Sequence, residues 1–192
     1  MTQAARTEPL TPADSARRSE QVAPRLREHL PITPLVPFEV FSEELGAEVL
    51  VKCEHQQRTG SFKARGAMAK ILTLSDEQRD AGVVTASTGN HGLGVSNALA
   101  TLGGRGIVYV PQNASASKVA AIRRFGIEVR SEGTDSGANE LLARAHAAEH
   151  GLTYVPPYND PDVIAGQGTA GVEILEQLAG QRLDAIFVAV GG

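Results

Sequence analysis

Aromatic residues are scarce in this chain and tryptophan is missing: Phe, Tyr and Trp together make 4% of 192 residues. The core must therefore be built from Val, Ile, Leu and Ala, and an apolar content of 42% is enough to pack one. Cysteine occurs once, at Cys53, which excludes an internal disulfide and suits a reducing compartment. The opening MTQAARTEPLTPADSARRSEQ holds no apolar run, so it is read as neither a secretory signal nor a membrane anchor. Positive charge is not in excess either: 18 Lys and Arg against 22 Asp and Glu leave a net charge of -4. That balance argues against a nucleic-acid surface and against affinity for anionic membrane. The expectation is a soluble cytoplasmic protein with neither nucleic acid nor membrane as partner.

Metal chemistry has little to stand on. His29, His55, His146 and His150 show no metal-ligand spacing, and a single cysteine does not make a zinc site, so no metal is expected. There is no G-x-x-x-x-G-K-[ST] loop and no G-x-S-x-G elbow. Gly166-Gln167-Gly168-Thr169-Ala170-Gly171 does spell G-x-G-x-x-G, but no convincing strand leads into it, and Asp184 precedes a strand instead of ending one. A glycine-rich helix entry packed closely on its neighbours is the better reading. Glu173 and Glu176, at i and i+3, read as a solvated helix edge.

What the chain does have is regular punctuation. Residues 1–14 are polar and broken by Pro9 and Pro12, and are expected to be poorly ordered. A helical stretch follows to Leu30, interrupted near Pro24, and Pro31, Pro34 and Pro37 then force an extended segment. Apolar strand candidates are AEVLVKCE (47–54), GVVTAS (82–87), GIVYVP (106–111), IEVRS (127–131), LTYVP (152–156) and DAIFVAV (184–190). Helix candidates lie near 61–74, 91–102, 116–125, 136–149 and 168–179. Near-continuous apolar strands alternating with amphipathic helices indicate an α/β fold with parallel sheets covered by helices on both faces.

Two stretches are unusual. TGSFKARGA (59–67) puts Lys63 at a helix start, where Ser61 is a good N-cap and the partial positive charge disfavours an ammonium. Either Lys63 points into water and tolerates this, or it is wanted in its neutral form. ASTGNHG (86–92) follows a strand and opens a helix, so its backbone N–H groups suit a carboxylate or phosphate. Taken alone, it reads first as a capped turn with Gly89 in a left-handed conformation.

These two stretches, with PPYNDPDVIAGQGT (156–169) and the final DAIFVAVGG, stand in the order found in serine/threonine dehydratases. The resemblance is to the pyridoxal-phosphate enzymes of the two-domain tryptophan-synthase-β-like fold, and it runs from about Thr33 to the last residue. It implies that Lys63 binds the pyridoxal 5'-phosphate cofactor covalently through its amine, helped to stay neutral by the helix N-terminus and by Arg65. Phe62 then flanks the cofactor and Asn90 donates to its ring hydroxyl. Ser87, Thr88, Gly89, Asn90 and His91 hold the substrate carboxylate, and Gly191 and Gly192 begin the glycines that wrap the phosphate.

The reaction implied is β-elimination of a 3-hydroxy amino acid such as L-threonine or L-serine to a 2-oxo acid and ammonia, with Lys63 as the base at Cα. Residues 83–158 would form a small mobile domain, with 15–82 and 159–192 in a larger one, and a homo-oligomer is expected for a full-length chain. Thr88 stands where racemase relatives carry a serine that acts as second base, so an amino-acid racemase is the alternative. The stop at Gly192 also raises a non-catalytic truncated fragment.

Overall fold

The structure, a computed structural model, describes residues 10–87 and 89–189. A first helix, α1 (Pro12–Arg27), is capped by the Thr11 side chain, with proline in its first turn, where a missing N–H costs nothing. Helix begins at Pro12, so residues 12–14 of the stretch expected to be poorly ordered are helical; residues 1–9 lie outside the described residues. Pro24 does not break α1. Pro24 and Glu20, whose carbonyl loses its helical partner, are both exposed, so the freed group is open to solvent.

A short antiparallel pair, β1 (Leu35–Pro37) and β2 (Leu50–Lys52), brackets α2 (Glu39–Leu45). Next come α3 (Lys63–Leu72) and α4 (Asp76–Ala81), the latter opened by a capping box between Ser75 and Gln78. The chain then alternates: β3 (Val83–Ala86), α5 (Asn90–Leu102), β4 (Gly106–Val110), α6 (Ala116–Arg123), β5 (Glu128–Ser131), α7 (Ser136–His150) and β6 (Thr153–Tyr154). The last helix is α8 (Pro161–Leu178).

Strands β3 to β6 form one parallel sheet in the order β5-β4-β3-β6. Side chains alternate across it. Val83, Val108 and Val110 join α5 and α6 in the main core, while Val84 and Tyr109 pack under Ala143 and Ala147 of α7. Both faces are thus covered, as near-continuous apolar strands require. Beyond α5, helix α3 packs between α5 and α8, and α1 lies on α8.

The expected terminal strand does not form among the described residues: 181–189 are irregular, and Ile186, Phe187 and Val188 are exposed. A strand is stable only against a neighbour, and no described strand pairs with this segment. The G-x-G-x-x-G run lies inside α8, not at a helix entry. A Cβ on Gly166 would meet Arg65 O at 2.5 Å and one on Gly168 would meet Ser19 Oγ at 2.2 Å, so these glycines serve close packing.

Candidate active site

The strand order reverses at β3. Strands β3, β4 and β5 step outward in one direction, and the chain then returns to place β6 on the other side of β3. A crevice at the carboxyl ends of strands beside such a reversal is the usual ligand site of an open parallel sheet. Here β3 exits into Ser87 to Asn90 and β6 exits into Val155, Pro156 and Pro157.

Lys63 reaches this crevice from the first turn of α3. Its Nζ donates to Pro157 O at 3.0 Å, and the Phe62 ring centroid lies 5.3 Å from the same nitrogen. Burial holds the Lys63 pKa below the usual lysine range. The Arg65 guanidinium contributes nothing to this, contrary to the sequence expectation. It points into the protein, 2% exposed, and is neutralised by Glu54 and Glu173.

His91 hangs on the same strand exit. Its Nε2 lies 3.2 Å from Val155 O, which also accepts from Thr85 Oγ1 at 2.7 Å. A carbonyl can only accept, so Nε2 carries the hydrogen and Nδ1 is left as a buried acceptor without a partner among the described residues. Burial first, and the nearby Lys63 charge next, push the His91 pKa down to about 4, against the bond to Val155. His91 is therefore neutral near pH 7.

The two helix N-termini at the crevice differ. In α3 the amides of residues 63–66 have protein partners: Lys63 N meets Ser61 Oγ at 3.4 Å, Ala64 N meets Ser61 O at 3.5 Å, Arg65 N meets Phe62 O at 3.0 Å, and Gly66 N meets Gln167 Oε1 at 3.2 Å. In α5 the amides of Asn90 and His91 have no partner among the described residues, and Gly89, the N-cap, offers no side chain. Ser87 Oγ is occupied by the Gly89 amide at 3.2 Å. The open amides belong to α5, the place where an anion binds most readily. Gly94 lets the two helices come together, since a Cβ there would lie 3.0 Å from Lys63 O.

Lys63, Phe62, Ser87, Gly89, Asn90 and His91 therefore stand together at the carboxyl ends of β3 and β6. Thr88, Gly191 and Gly192 lie outside the described residues. Sequence reasoning missed the carbonyls of Val155 and Pro157 and the carboxamide of Gln167, which depend on folding alone. It also misplaced Glu173. This residue is 3% exposed and binds Arg65 and Lys52, and it is not at a solvated edge; Glu176 pairs with Arg27 at the surface.

A half-buried amine of lowered pKa, an aromatic plate beside it and open amides fit a carbonyl-bearing, anionic ring cofactor. Comparison with known proteins agrees. Residues 26–192 match the family described as pyridoxal-phosphate dependent enzyme. The chain is 40% identical over 168 residues to L-threo-3-hydroxyaspartate ammonia-lyase of Saccharomyces cerevisiae, covering 88% of this chain and 51% of that protein. Its structure is similar to processed threonine deaminase isoform 2 of Solanum lycopersicum, with a TM-score of 0.82 and 34% identity over 88% of this chain and 47% of that one. It is also similar to serine racemase of Dictyostelium discoideum, with a TM-score of 0.78 and 34% identity over 84% of this chain and 53% of the other. The chain thus spans about half the length of the relatives it matches.

Proposed function

The chain belongs to the pyridoxal-phosphate-dependent enzyme family, and from that membership we propose that it carries the reacting lysine of an ammonia-lyase that acts on a 3-hydroxy amino acid. The observation that carries this reading is the Lys63 amine, half-buried and 3.0 Å from Pro157 O, at the strand-order reversal. The substrate is L-threonine, L-serine or L-threo-3-hydroxyaspartate, and the products are a 2-oxo acid and ammonia.

Each residue has a definite part. Lys63, its ammonium disfavoured by burial, takes the proton from the substrate Cα. The open amides of Asn90 and His91 hold the substrate carboxylate at the positive end of α5. Phe62 presents a flat apolar face beside the amine, and the Asn90 side chain, exposed at the crevice, is free to donate to a ring hydroxyl. When bound, pyridoxal phosphate supplies the electron sink for the pair released at Cα. The Cβ–O bond then breaks and water leaves; hydrolysis of the C–N bond returns one water and frees ammonia.

The same reading divides the chain into a mobile unit of residues 83–158 and a larger unit that includes α3 and α8. It also carries a homo-oligomer in the cytoplasm. No helix among the described residues is long and apolar enough to cross a membrane. The likeness to serine racemase favours racemization as the second reading.

The test is incubation with pyridoxal phosphate and each of the three amino acids, with 2-oxo acid and chiral amino-acid assays run side by side. A 2-oxo acid should form and should vanish in Lys63→Ala. D-serine forming faster than pyruvate would move the assignment to the racemase, and a 2-oxo acid that survives Lys63→Ala would end the lysine's role.

A further inference from the structure

Beside the crevice lies a buried polar cluster that the chemistry above does not use. Arg65 Nη1 and Nη2 donate to Glu173 at 2.7 and 2.8 Å, and Nε and Nη2 donate to Glu54 at 2.8 Å each. Thr169 Oγ1 and Thr33 Oγ1 accept further bonds at 3.2 and 3.1 Å. Lys52 Nζ reaches Glu173 at 2.6 Å and Thr33 O at 2.7 Å. Two cations and two carboxylates balance, and every guanidinium hydrogen has an acceptor.

Stability alone does not account for such a cluster. Desolvating four charges offsets most of their attraction, and apolar packing of the same volume is often as stable or more so. What a two-sided fork on a guanidinium does provide is geometry. Its position gives that geometry a use. Arg65 follows Lys63 by two residues, roughly 200° around the helix, so it leaves α3 on the side away from the crevice. It ties the first turn of α3 to the β1–β2 arm through Thr33 and Glu54, and to α8 through Thr169 and Glu173.

That turn has weak local support. The N-cap Phe62 gives no side-chain cap, the Ser61 contacts are 3.4 and 3.5 Å long, and the fourth amide depends on Gln167, which is distant in sequence. Long-range anchors therefore fix where the helix starts.

We propose that Arg65 is a positioning residue for Lys63: the guanidinium, gripped from both sides by Glu54 and Glu173, holds the first turn of α3 where the Lys63 amine reaches Pro157. The consequence for catalysis rests on the reading of Lys63 as the reacting amine, but the geometry can be tested without any cofactor.

Amine labelling of the folded protein across pH, resolved by mass spectrometry, gives a titration midpoint for Lys63, with exposed Lys118 as internal reference. Arg65→Lys keeps the charge but loses the fork. Glu54→Gln turns one acceptor of the fork into a donor and so breaks the grip on one side, and serves where Arg65→Lys does not fold. In the folded variant the Lys63 midpoint should move to higher pH as the amine leaves its half-buried position, while Lys118 labels as in the wild type. An unmoved Lys63 midpoint in a folded variant would overturn the proposal, and so would failure of both variants to fold, since the cluster would then hold the fold and not the lysine. A moved midpoint in a protein that makes no 2-oxo acid would keep this inference and reject the ammonia-lyase.

Discussion

Gly166 of α8 and Gly66 of α3 face each other without side chains: a Cβ on Gly166 would lie 2.6 Å from Gly66 Cα and 2.5 Å from Arg65 O. The two backbones meet directly behind the first turn that carries Lys63, so the spacing of α3 and α8 sets where that turn sits. Alanine is the better helix former by about 1 kcal/mol, which alone would favour Gly166→Ala. The clash is with backbone, which cannot swing aside, and overpacking of this kind costs about 1–3 kcal/mol. The clash should win. Gly171, in the same helix with nothing within 4 Å of its Cβ direction, is the control. Denaturant unfolding should show Gly166→Ala destabilised and Gly171→Ala stabilised by up to about 1 kcal/mol; equal behaviour of the two would refute the close approach.

How much of this was legible in the sequence depended on the range of the interaction. GVVTAS and GIVYVP announce buried strands because apolar residues stand on both sides of the sheet, and Val83 and Val84 do go to opposite faces. The start of α8 was also written locally. Asp160 caps it and Pro161 occupies its first turn, yet Gly166 and Gly168 made the segment read as a helix entry and not as the helix interior that close neighbours allow. Ser75 and Gln78 spelled a capping box before α4 that apolar periodicity overlooks. Glu173 is the opposite case. Its spacing from Glu176 says nothing about which of the two faces inward, because the deciding partner, Arg65, lies 108 residues away. Lys63 was legible as an anomaly, but the burial that lowers its pKa was not, and the sequence neighbour Arg65 is spent on carboxylates.

His91 makes stability depend on pH in a window that lies mostly above the carboxylate range. Its folded pKa of about 4 lies below the ordinary histidine value of 6.5, so between these limits the unfolded chain binds a proton that the folded chain refuses. Stability contributed by the neutral ring is thus complete above pH 6.5 and is lost as pH falls toward 4, by roughly 3 kcal/mol at most. In His91→Gln the carboxamide can still donate to Val155 O but does not titrate. Unfolding curves at pH 7.5, 6 and 5 should therefore fall steeply for the wild type and less for the variant. Identical slopes would mean that His91 charges freely in the folded protein.

Gly89 separates binding from folding at the open end of α5. A Cβ there meets nothing within 4 Å, and φ of -126° lies in the range other residues adopt, so Gly89→Ala should change stability by no more than about 0.5 kcal/mol. The added methyl would nevertheless stand beside the amides of Asn90 and His91, in the space assigned to the substrate carboxylate. If those amides bind the anion, the methyl removes charge-assisted bonds worth about 1.5–3 kcal/mol, roughly 10- to 150-fold in affinity for the amino acid. The measurements are thermal unfolding beside the Michaelis constants for L-threonine and L-serine. An unchanged melting profile with a raised Michaelis constant is the expected pair. A variant that is equally stable and binds the amino acid as well as the wild type would place the carboxylate elsewhere in the crevice, away from the N-terminus of α5.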